Sequence, residues 1–149
     1  MDASYTSSIT EFAIVLAGFS GLVIAIGSKG GKSSPLTKHR TLCLLSFSFA
    51  AAFGSLLPAL ALSFGIPNIW IFSSYGLICI LLVAVSVVHL SARLLLNEEE
   101  RKKLAWYMYI LIYWVNAFLV FLLALMPIAG LFFIALVWQL IVSAILFTR

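Results

Sequence analysis

The chain has 149 residues, of which 64% are hydrophobic and 9% charged, and its mean hydropathy is +1.18. A chain this short has too much surface for its volume to hide so many apolar side chains from water, so the composition excludes a water-facing domain and leaves an all-α membrane protein. The net charge of +4 sits among interfacial residues, where it favours anionic lipid, and no nucleic-acid-binding pattern accompanies it.

About 20 apolar residues are needed to cross a bilayer as a helix, and five stretches approach this: 11–27, 42–64, 70–92, 104–126 and 131–147. They form one transmembrane domain with almost no chain left over. All nine Lys and Arg residues then fall on one side of the membrane, in the 28–41 and 93–103 connections and at Arg149, while the turns around Pro67 and Pro127 carry no charge. Basic residues gather on the cytoplasmic side. The expected topology is therefore N-terminus out and C-terminus in, at the cell (inner) membrane, inserted without a cleaved signal peptide.

The first stretch opens with Ser8, Ile9, Thr10 and Glu11, an S-x-x-E pattern that fits a capping box. Ala13, Ala17, Gly21 and Ala25 follow at four-residue spacing, a small-residue face that lets a second helix backbone approach. Glu11, Val15, Gly18, Leu22 and Ala25 share another face. Repeated around an axis, that face would set a ring of carboxylates above an apolar constriction, and such rings concentrate cations.

Residues 29–37 read as a flexible loop with Gly30, Gly31 and Pro35 as breakers. Gly31-Lys32-Ser33 lacks the earlier glycine of a phosphate-binding loop, since position 26 is Ile26. Lys38, His39 and Arg40 are expected to anchor the second helix at headgroups. Within that helix Ala50 and Gly54 repeat the four-residue spacing of the first, which suggests that the two pack together, and Pro58 frees the Gly54 carbonyl.

Trp70, Phe72 and Tyr75 form an outer aromatic belt on the third stretch, and His89 and Arg93 mark its inner end. His39 and His89 would lie near the same face, but their basic neighbours place them at the interface rather than deep in a haem or metal pocket. No cofactor and no metal are expected. Cys43 and Cys79 differ too much in depth for a disulfide and read as buried small apolar residues.

Asn97 and Glu98, Glu99 and Glu100 begin a solvated helix start with i,i+4 pairs to Lys102 and Lys103. Trp106, Tyr107 and Tyr109 form an inner belt. The turn at Pro127 and Gly130 makes the last two stretches a hairpin in which Asn116 and Gln139 fall at nearly one depth. The two amides either bond each other or line a polar path.

No H-E-x-x-H, G-x-S-x-G, paired acids or Cys/His cluster is present, so enzymatic activity is not expected. Two functions remain: a homo-oligomeric ion channel or transport pathway with Glu11, Val15, Gly18, Leu22, Asn116 and Gln139 as pore candidates, or a non-catalytic accessory subunit buried against a membrane-protein partner.

Overall fold

A computed structural model describes Ile14, Gly18 and residues 34–103 and 106–147. The described residues are helical apart from short connections: α1 (Pro35–Ser63), α2 (Ile69–Leu95), α3 (Glu98–Lys103), α4 (Trp106–Leu125) and α5 (Ala129–Phe147). Ile14 and Gly18 are helical as well. Helices α1 and α2 are long and apolar enough to cross a membrane, with mean hydropathies of 1.8 and 2.5. The apolar stretches Ile112–Leu125 and Ala129–Ile145 are shorter.

Helix α1 begins seven residues before the expected position 42, and the reason is local. Ser34 is its N-cap, taking the Thr37 amide on its hydroxyl at 3.2 Å, and Pro35 follows in the first turn. There its fixed φ suits the helix and its missing N–H costs nothing. Pro35, expected to break structure, starts it instead. At the other end Gly65 has φ +66°, its amide reaches the Leu62 carbonyl, and the Ile66 amide reaches that of Ala61. These two bonds make a Schellman motif, which requires a left-handed residue at Gly65. Because a Cβ costs roughly 1–2 kcal/mol in that conformation, Gly65→Ala is expected to lower stability by about that amount in thermal unfolding of the detergent-solubilised protein. No atom crowds the position, so Gly65→Asn should recover part of the loss.

Helix α1 lies along α2 and α5, while α4 packs on α2 and α5. Their shared core joins Cys43, Phe47 and Ala50 to Leu77, Leu81, Ala84 and Val88, to Ile112, Leu119 and Leu123, and to Phe132, Ala135, Leu136 and Val142. Two glycines bring α1 and α2 together. A Cβ on Gly54 would stand 2.8 Å from methyls of Leu77 and Leu136, and one on Gly76 would stand 3.0 Å from Leu57. The Ala50 and Gly54 face is thus occupied by α2 and α5. The opening helix, which sequence spacing suggested as its partner, lies outside the described residues except at Ile14 and Gly18; at Gly54 the leucines of α2 and α5 reach a backbone left bare by glycine.

The outside of the bundle is apolar. Trp114, Leu94, Val83 and Phe118 are each at least 60% exposed, as suits helices that face hydrocarbon. Two buried serines close onto their own helices: Ser55 donates to the Ala52 carbonyl and Ser143 to that of Gln139, which satisfies a hydroxyl without a second helix, whereas the buried hydroxyls of Ser48, Ser73 and Ser74 have no partner. One expected surface feature turns inward. Trp70 packs on Phe132 and Phe133 at about 6 Å rather than standing in a belt, whereas Phe72 and Tyr75 are exposed.

At the far end of α2, the Arg101 guanidinium donates to the Arg93 carbonyl at 3.0 Å, satisfying one of the last-turn acceptors. Helix α3 starts as expected at Asn97, whose amide donates to the Glu100 carboxylate at 3.1 Å. This is the returning half of a capping box.

Candidate functional site

The most concentrated polar chemistry among the described residues lies where α1, α2 and α4 meet. Running back along α1 from Gly54 in steps of four and three gives Ala50, Phe47, Cys43 and His39, all on the buried face. His39 is fully buried. Its Nδ1 is 2.8 Å from the Ser91 hydroxyl on α2, and its Nε2 is 2.5 Å from the Tyr109 hydroxyl on α4. The imidazole and phenol rings stack at 5.8 Å between centroids.

The proton positions follow from counting donors. Ser91 has one hydroxyl hydrogen, and it goes to the Val88 carbonyl at 2.8 Å, an acceptor that can return nothing. The Ser91 oxygen therefore accepts from His39, which fixes Nδ1 as N–H. Nε2 is then a bare lone pair, and Tyr109 donates to it. Cys43, one helical turn beyond His39, places its Sγ over the imidazole, 3.5 Å from Nε2 and 3.9 Å from Nδ1. Imidazole, phenol and thiol thus lie together. Beneath them is a cavity of about 10 Å³ lined by Cys43, Phe47, Val85, Val88, Tyr109, Ile112 and Tyr113, which is at the lower limit for a single water.

The chain matches no protein-family model, no curated protein and no solved structure. Its chemistry has to be read from these residues.

Sequence reasoning placed His39 at the headgroups beside Lys38 and Arg40, and the structure corrects this. The spacing signal was present, since His39 and Cys43 continue the small-residue face of α1, but the flanking charges outweighed it. His39 and His89 do not share a site. Ser91 turns toward His39, and His89, two residues earlier and thus about 200° away on a helix of 3.6 residues per turn, is exposed. Cys79 is exposed as well, beside Phe53 and Leu56 on the outside of α1 and α2, rather than buried. Tyr109 belongs to the His39 cluster instead of an aromatic belt.

The two amides meet. Gln139 Nε2 donates to Asn116 Oδ1 at 2.8 Å, and Asn116 Nδ2 donates to the Ile112 carbonyl at 2.8 Å. Both side chains are buried, and only Gln139 Oε1 is left without a partner. Within the chain the pair joins α4 to α5.

Of the opening-stretch candidates, Gly18 is helical with nothing within 4 Å of a Cβ position, and Ile14 is exposed. Glu11, Val15, Leu22, Ala13, Ala17, Gly21 and Ala25 lie outside the described residues, as does the Ser8 cap. Among the described residues, no three His, Cys, Asp or Glu side chains gather.

Proposed function

We propose that this chain is an integral protein of the cell membrane, crossing it five times with its N-terminus outside and C-terminus inside, and that copies assemble around the opening helix to pass cations. One observation carries the reading: Ile14 and Gly18 are open on the surface of the protomer. At helical spacing, Glu11, Ile14 and Gly18 occupy one face, within about 60° of each other at 100° per residue. A glycine on an uncovered apolar face favours close approach of a second backbone. The charge distribution and the apolar exterior support the membrane topology.

The amides refine the pore. Gln139 donates to Asn116, which donates in turn to the Ile112 carbonyl, so in this reading the pair holds α4 to α5 and the path runs along Glu11, Val15, Gly18, Leu22 and Ala25.

Glu11→Gln keeps a side chain able to fill the N3 position of a capping box but removes its charge. It is expected to leave oligomer mass unchanged and to lower cation flux several-fold in reconstituted liposomes. Absence of flux from the wild-type protein under any ionic gradient or membrane potential would defeat the transport reading and leave that of an accessory subunit.

A further inference from the structure

We propose that the opening stretch of this same chain, residues 11–27, seats its small side at Ala13 and Ala17 in an apolar groove between α1 and α2. The groove is lined by Phe53, Leu56 and Leu60 of α1 and by Cys79 and Val83 of α2, and its volume is about 520 Å³. Phe53 is 58% exposed and Val83 64%. The seating rests on the reading that residues 11–27 cross the membrane, and it adds the surface that they meet.

The tether narrows the choice of surface. Gly27 and Ser34, the N-cap of α1, are seven residues apart, so at no more than about 3.4 Å per residue the inner end of the stretch stays within roughly 24 Å of the start of α1. Connections this short join antiparallel neighbours. The Gly54 side of α1 already carries Leu77 of α2 and Leu136 of α5, and Ala51 and Ala52 are buried with Leu140 of α5 against them. The side bearing Leu42, Phe49, Phe53, Leu56 and Leu60 is exposed. A helix tethered to the start of α1 finds its open flank there, and the groove runs along the outer half of that flank.

Depth and orientation agree with this placement. Counting from positions 27 and 42 at the inner membrane level, fourteen residues lead to Ala13 and Leu56, and ten lead to Ala17 and Ala52, so antiparallel helices of equal rise bring both alanines to the level of the groove. Ile14 and Gly18, which are helical, are both open. At 100° per residue, a helix seated on the midline of Ala13 and Ala17 turns Ile14 about 80° and Gly18 about 120° away from the contact. The seated helix thus leaves them outward, free for the contact between copies. Small side chains let its backbone sink between the long ones of Phe53, Leu56 and Leu60, as close helix packing in lipid requires.

The test is cysteine crosslinking of the full-length protein in membranes, with Cys79 as the native thiol in the groove. Ala13→Cys or Ala17→Cys, oxidised with copper phenanthroline, should form a disulfide to Cys79 at monomer mass, read as the joined peptide by mass spectrometry. The yield should be several-fold above that from Val15→Cys, which lies on the opposite side of the helix. Adding Cys79→Ser should abolish it, which separates Cys79 from Cys43 as the partner. Crosslinks at dimer mass alone would put the stretch in the groove of a second copy, and none from either alanine position in folded protein, or equal yields from all three, would leave the groove to lipid; each overturns the proposal. Cation flux does not enter this readout, so the transport reading can fail while the seating holds. Labelling of Ala17→Cys by a membrane-impermeant maleimide would remove the spanning reading and the seating with it.

Discussion

Gly54→Leu is expected to prevent assembly of the bundle, so that the protein is recovered aggregated or melts far below wild type in detergent. The first added carbon alone would stand 2.8 Å from methyls of both Leu77 and Leu136, closer than nonbonded carbons approach, and three more carbons follow. Both leucines are fully buried and lie on different helices, so neither can yield without disturbing α2 or α5. Adding methylenes to a packed core costs about 1–3 kcal/mol. Gly54→Ala should fall in that range, and Gly54→Leu should exceed it. Gly130→Leu serves as a control because no atom lies within 4 Å of its Cβ position. A Gly54→Leu protein melting with the wild type would mean that contact of α1 with α2 and α5 does not hold the bundle together.

The second large effect is expected at the amide pair. Asn116→Ala removes the acceptor of Gln139 Nε2 while Gln139 Oε1 is already unpartnered, so a whole amide is left unsatisfied in an apolar interior. Such a loss costs about 1–3 kcal/mol, against about 0.6–2 kcal/mol for the interhelical bond itself. The double substitution Asn116→Leu with Gln139→Leu removes both polar groups and should lie much closer to wild type than Asn116→Ala. Steric resistance to denaturation by a harsh detergent measures both. Equal losses in the single and double variants would show that packing, rather than the unpaired amide, dominates.

Much of this arrangement is legible in the sequence because apolar length and turn residues act locally. The expected stretches 70–92 and 131–147 lie within a few residues of α2 and α5, and nearly equal residue counts on either side of the Pro127 turn place Asn116 and Gln139 at nearly one level. Legibility fails where a residue has two meanings. Pro35 breaks a helix from inside and favours one from its first turn, and only the Ser34 cap distinguishes the cases. His39, between Lys38 and Arg40, resembles a headgroup anchor, yet its angular position on α1 is that of Cys43 and Phe47. Ser91 and Tyr109, which complete the cluster, are 52 and 70 residues away. No local pattern announces them, because their meeting depends on how three helices cross. The same holds for the partners of Gly54: a small-residue face states that something will approach, and not which helix.

The imidazole at that crossing also sets an order of events in time. His39 leaves the ribosome first, Ser91 follows 52 residues later, and Tyr109 comes 18 residues after that, 70 less 52. At about 5–20 residues per second, Tyr109 arrives roughly 1–4 s after Ser91. For that interval a hairpin of α1 and α2 can hold Nδ1 while Nε2 and the Cys43 thiol stand open on its flank. The nascent chain thus exposes the imidazole and the thiol until α4 arrives and Tyr109 covers Nε2.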